Sequence, residues 1–305
     1  MVKTLQVPGD SGFANHSISY NEKYNFIMAC SYDNSVQFFD ATTLLPLEGR
    51  EAQKVDSAVR HIAFEPETET FLLSCESGSI YSYGISNKIL KIVQEETNSL
   101  FIHAEFIDSK RCVFPGHLDE VSIGNLEDGS RIRLETKERS LYSMKNLKKK
   151  NLLLASSVGG SLRIYRTDCL PKKLPMLYSV GRDEYMAAVE IHNLIINGKE
   201  YIVTPGCDCK IRIWHMMKGK LRLLRVISMK EEVFCTVYLE NYKMLAVTHR
   251  RDFISFFSLP SGQLVRTLDL KLRDCQGIFL MEDKNAIGVG SYTESTIKII
   301  QLHPE

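Results

Sequence analysis

The 305 residues carry 38 Lys+Arg against 37 Asp+Glu, a formal net charge of +1, with 44% hydrophobic and 25% charged residues. This is the balance of an ordinary globular chain, and it excludes the strongly basic surface that nucleic-acid binding over the whole protein would need. No apolar run approaches the roughly 18 residues of a spanning helix, and residues 1–10 lack a signal peptide's apolar core.

Short apolar runs with period two predict strands along almost the whole chain. Residues 2–7 form a first strand with no repeat of its own. A buried strand at 26–30 leads into a phrase at 31–40, SYDNSVQFFD, which has a turn-forming opening and then an alternating apolar strand. Residues 59–64 predict the next strand and 71–74 a buried one, after which the phrase returns at 75–84 as CESGSIYSYG. A third copy lies around Val121. Residues 152–155 precede the fourth copy (157–165, SVGGSLRIY), and the fifth is 206–214, GCDCKIRIW. Strands at 234–239 and 244–247 lead into the sixth copy around Ile254, and 296–300 hold the seventh. Turns with Gly129, Gly219 or Gly262 follow the phrase, and an outer, more polar strand such as 264–268 comes after them.

The first apolar residue of each phrase strand is Val36, Ile80, Val121, Leu162, Ile211, Ile254 and Ile297, with spacings of 44, 41, 41, 49, 43 and 43 residues. Their mean, 43.5, falls within the roughly 40–45-residue period of four-stranded propeller blades. The expected fold is therefore all-β: a seven-bladed β-propeller of four-stranded blades, one domain over residues 1–305. Only five residues follow Ile300, so the last blade is expected to take residues 2–7 as its outer strand, which removes a sheet edge.

The phrase resembles the second half of a WD repeat, whose strand usually closes with Trp-Asp. Phe39-Asp40 and Trp214-His215 come nearest, Tyr83, Tyr165, Phe257 and Ile300 take the Trp position elsewhere, and Gly124 takes it in the third copy. The family's Gly-His pair before the innermost strand is missing, since Gly116-His117 sits just ahead of the third phrase. The resemblance implies a propeller that binds other proteins, without the family's His–Asp network. Asp33, Asp208 and Asp252 are expected to bond backbone N–H groups of their turns.

Catalytic motifs are missing: no Gly-rich phosphate loop, His-Glu-x-x-His or Gly-x-Ser-x-Gly occurs, and no cofactor is expected. Cys207-Asp208-Cys209, with His215 nearby, is the most metal-like group. Structural zinc normally takes four ligands and no second Cys pair follows, so these residues read as turn positions and no metal is expected. Cys30, Cys75, Cys112, Cys235 and Cys275 read as small core residues, and the eight cysteines as reduced thiols of a cytoplasmic or nuclear protein. His61 and His103 occupy equivalent innermost-strand positions, which argues for packing. Glu95-Glu96 and Glu231-Glu232 read as solvated loop pairs.

Surfaces carry the functional expectation. Loops joining successive blades share a face with loops entering the phrase, and there Tyr32, Arg60, Tyr142, Tyr185, Arg250 and Arg251 are candidate partner-binding residues, since Tyr and Arg dominate binding hot spots. Phe101 and Phe234 are assigned instead to the core position that Val59 fills. The opposite face gathers Lys148, Lys149, Lys150, Lys172, Lys173, Lys218 and Lys220, a basic patch suited to an acidic protein segment, RNA or an anionic membrane surface. The leading reading is a non-catalytic interaction scaffold or adaptor in a multisubunit complex. An RNA-associated factor using the basic face is the alternative. An enzyme with a central-channel site is the third reading, disfavoured because the blade-entry positions Val59, Phe101, Leu141, Met186, Phe234 and Cys275 are apolar.

Overall fold

The computed structural model describes residues 2–9, 11–95, 103–116, 120–136, 141–157, 160–180, 190–206 and 208–303, with the side chains of 14–16 set aside. From Phe13 onward strands come in consecutive fours, each an antiparallel meander, and the last three are completed by the first strand of the chain, giving seven blades of an all-β, seven-bladed β-propeller. The chain forms two compact units, Met1–Val59 with Lys230–Glu305, and Arg60–Met229.

The first unit holds three blades. Blade one runs Phe13–Asn21, Phe26–Ser31, Ser35–Asp40 and Gln53–Lys54, and blade six Val233–Leu239, Met244–His249, Phe253–Ser258 and Leu264–Asp269. Blade seven has Cys275–Met281, Ala286–Ser291 and Thr296–Gln301, and its fourth strand is Val2–Gln6, paired antiparallel with Leu5 opposite Ile297. The expected closure by the N-terminal strand is thus present.

The second unit holds four blades. Blade two runs Val59–Glu65, Thr70–Cys75, Ser79–Gly84 and Leu90–Glu95, and blade three Glu105–Phe106, Arg111–Pro115, Glu120–Asn125 and Arg131–Glu135. Blade four runs Leu141–Leu147, Leu152–Ser157, Leu162–Arg166 and Met176–Val180, and blade five His192–Ile196, Lys199–Gly206, Lys210–Met217 and Lys220–Ser228.

Burial explains the sequence pattern. Second strands such as Phe26–Ser31 and Ala286–Ser291 are buried at every residue, hence their unbroken apolar runs. All seven marker residues lie in third strands and are at most 3% exposed. Gly288 shows how tight this layer is, because a Cβ there would come within 2.0 Å of the Phe279 ring. Cys30, Cys75, Cys112, Cys235 and Cys275 are buried as expected, and burial pushes the thiols of Cys112 and Cys275 up to about 12.

Two features of the repeat were not foreseen. The pairing of first and second strands shifts register after Phe13, Leu141, Val233 and Cys275, which lie opposite Ser31, Ser157, His249 and Ser291. A second shift separates third from fourth strands at Ile80/Tyr81, Ile164/Tyr165, Ile213/Trp214 and Phe256/Phe257. A bulge inverts the inward–outward alternation beyond it. The first shift corrects one assignment: Val233 is buried and fills the position of Val59, while Phe234 is only half-buried.

Candidate partner-binding surfaces

In a four-stranded meander the first and third connections lie at one end of the sheet, and the second at the other. In the first unit, the second connections of blades one, six and seven carry Tyr32, Arg250 with Arg251, and Tyr292. Backbone hydrogen bonds join these turns. The Cys275 N–H donates to the Arg251 carbonyl at 3.2 Å, and the Tyr292 N–H to the Asp274 carbonyl at 2.8 Å. The Tyr32 and Tyr292 rings then meet edge to face with centroids 5.1 Å apart, a favoured aromatic geometry. Arg251 reaches Glu231 at 2.9 Å and Arg250 reaches Glu232 at 3.6 Å, so the acidic pair expected to be merely solvated holds the two arginines. Tyr292 is a site residue that the sequence reading lacks, although it follows Ser291 as Tyr32 follows Ser31, in the turn ahead of the strand that defines its repeat.

His249 lies beneath this surface, where blades one, four and seven have serine. Ser291 Oγ donates to the Arg273 carbonyl and accepts from the Thr293 and Glu294 N–H groups, which ties its turn together. In blade six His249 Nε2 bonds Ser255 Oγ at 2.9 Å instead. The ring is 1% exposed, and desolvation pushes its pKa down to about 4, against a small opposing pull from Glu231. The unfolded chain binds a proton at this histidine near pH 6.5 and the folded chain does not until about pH 4. Stability from neutral His249 is therefore full above pH 6.5 and lost as pH falls toward 4, at about 1.4 kcal/mol per pH unit. Urea unfolding at pH 7 and pH 5 should give a His249→Gln variant about 2 kcal/mol less pH dependence than the parent. Equal dependence in the two proteins would remove His249 as the source.

In the second unit Arg60 pairs with Glu76 at 2.7 Å, and Tyr142 is half-buried beside Leu141. Tyr185, Phe101 and Met186 fall outside the described residues. His61 and His103 sit near the starts of blades two and three with their rings edge to face, and with Glu105 they offer three donor atoms within 4.8 Å. Their hydrogen bonds do not suit a metal. His103 Nδ1 accepts the Met144 N–H at 2.9 Å, which places the neutral ring's proton on Nε2, where a metal would need a lone pair. Glu105 already takes the Lys145 ammonium at 3.1 Å, a cation where the ion would have to sit. The Glu105 charge, opposed by burial, raises the Lys145 pKa and keeps that ammonium protonated.

The Cys-Asp-Cys turn is explained in the same way. The Asp208 carboxylate holds the Arg212 guanidinium at 2.6 Å and accepts no backbone N–H among the described residues, whereas Asp33 accepts the Ser35 N–H at 2.9 Å as expected. Cys207 lies outside the described residues.

The lysines lie at the other end of blades four and five, in a 3-10 turn at Lys148–Lys150, the turn holding Lys172 and Lys173, and the hairpin at Lys218 and Lys220. They are not equivalent. Lys148 pairs with Glu65, which is 2% exposed, and Lys150 with Glu200. Lys149, Lys172, Lys173, Lys218 and Lys220 are exposed and have no acidic partner among the described residues. No described helix is long and apolar enough to cross a membrane.

No protein-family model matches this chain, and no curated protein does. Among solved structures it is similar to the β-propeller domain of Cps50 (Swd1) from Myceliophteria thermophila, with a TM-score of 0.81 and 13% identity, over 99% of this chain and 100% of that one. At that identity the likeness is one of fold, and the fold it gives is the β-propeller.

Proposed function

We propose that this chain is a non-catalytic adaptor of WD-repeat type, one domain that holds partner proteins within a larger assembly. The observation that carries the reading is the joined surface of the first unit, where the Tyr32–Tyr292 ring pair and Arg250–Arg251 stand on turns fixed by backbone hydrogen bonds. Rigid, partly exposed Tyr and Arg side chains lose little conformational freedom when a partner covers them, the usual property of interface hot spots. Arg60 and Tyr142 are candidates for a separate contact on the second unit.

The test is affinity purification from the native cells with mass spectrometry. Stoichiometric protein partners are expected, and an Arg251→Glu, Tyr292→Ala double variant with an unchanged melting temperature should lose at least one of them. If the variant retained every partner, docking would lie elsewhere. If nucleic acid and no protein co-eluted, the scaffold reading would give way to the RNA-associated one.

A further inference from the structure

The fourth strand of blade five, Lys220–Ser228, differs from the other fourth strands. At nine residues it is the longest, against two to six in the other blades. It ends the strand order of its sheet, so its outer side pairs with no further strand among the described residues, and the Leu221 carbonyl accepts the Tyr178 hydroxyl at 3.0 Å. A two-residue turn with positive φ at both central positions, Lys218 (49°) and Gly219 (73°), joins it to Lys210–Met217, as in a tight type I′ hairpin.

The bulge after Leu223 sorts the side chains. Leu221 lies opposite Met216, Leu223 opposite Trp214 and, past the shift, Val226 opposite Arg212, which puts these three on one face of the sheet. Lys220, Arg222 and Arg225 lie opposite Met217, His215 and Ile213, on the other face. Leu223 and Val226 are 44% and 41% exposed. Between Asp208 and Glu231 the chain has seven Lys and Arg residues and no acidic one. Arg222 and Arg225 have no acidic partner among the described residues.

Proteins usually protect a free edge by making it short, kinking it or charging it. This edge is charged with one sign only, and it keeps an aliphatic face open. The charge excludes a second copy as occupant, since two such edges would set like charges against each other. We infer that the outer edge of Lys220–Ser228 docks an extended acidic segment of a partner protein, which adds to blade five as a further strand. Its main chain bonds the backbone groups beyond Leu221, its carboxylates meet Lys220, Arg222 and Arg225, and its alternate apolar side chains cover Leu223 and Val226. RNA would satisfy the cations but not the strand edge. The inference rests on the interaction reading of the preceding subsection and uses a different surface.

The probe is a fluorescently labelled peptide of alternating Glu and Val, followed by anisotropy against the full chain. Controls are a block peptide of the same composition, an alternating peptide with proline at its central position, and oligouridine. The alternating peptide should bind at least about tenfold more tightly than the block and proline forms, and Arg222→Glu with Arg225→Glu should weaken it by about tenfold or more. Raising salt from about 0.05 to about 0.5 M should weaken it further. Both arginines are exposed, and a thermal melt of the variant verifies its fold. No binding, equal binding of the block or proline peptides, or tighter binding of oligouridine abolished by the same substitutions would overturn the inference. Those results would leave the adaptor reading standing if the Arg251 and Tyr292 variant still lost its partner.

Discussion

A chain lacking residues 1–8 should melt about 10 °C below the full-length protein. The strand Val2–Gln6 supplies the whole fourth strand of blade seven, pairing along five residues with Thr296–Gln301. Leu5 is 1% exposed and packs with Phe39, Ile297 and Ile299, and Val7 is almost as deeply buried in the same cluster. Removing two such side chains costs about 5 kcal/mol from lost burial and the cavity left behind. In a chain of this size that corresponds to about 10 °C. The deletion also bares the edge of Thr296–Gln301, an apolar strand, so association at high concentration should rise. Differential scanning calorimetry checks the first effect and light scattering the second. Leu5→Ser should reproduce about half of the shift without exposing the edge. A melt unchanged by the deletion would mean that the pairing contributes nothing.

The seven-part division was legible because alternate side chains of every third strand point into the core, and those positions must be apolar whatever stands between them. The aromatic position that closes the phrase was legible for the same reason, since Phe39, Tyr83, Tyr165 and Trp214 are all buried. The exception at Gly124 has a physical cause that no repeat comparison contains. A Cβ there would strike the Gln94 side chain, and Gln94 Nε2 donates to the Asn125 carbonyl at 3.1 Å, so an amide from blade two occupies the ring's place. Bulges were not legible. An inserted residue moves the pattern by one without breaking it, so Phe234 looks like the core residue that is in fact Val233. The surfaces were legible as residue types alone. Arg250 and Arg251 stand about 20 residues from the glutamates that hold them, and Lys148 stands 83 residues from Glu65. Only packing brings such distant groups together, so the sequence showed a run of three lysines and not that two of them are committed.

That difference determines the second large effect. Lys148→Glu should destabilise the protein by about 3 kcal/mol, whereas Lys149→Glu, one residue away, should change stability by less than about 0.5 kcal/mol. Glu65 is nearly inaccessible, and its charge is matched by the Lys148 ammonium, which also lies 5.9 Å from the Phe106 ring. Reversing Lys148 leaves a buried carboxylate unmatched and sets a second one against it. Lys149 faces solvent with no acidic partner among the described residues, and there the substitution alters only the surface field. One measurement separates this from a general lysine effect. The loss in Lys148→Glu should persist at high salt, because a buried charge is poorly screened. Equal stabilities of the two variants would show that Lys148 and Glu65 do not act as a pair. The consequence for binding work is direct. Reversing Lys148, Lys149 and Lys150 together would record a folding defect as lost affinity, whereas Lys149→Glu with Lys172→Glu and Lys173→Glu tests the basic patch on a chain that stays folded.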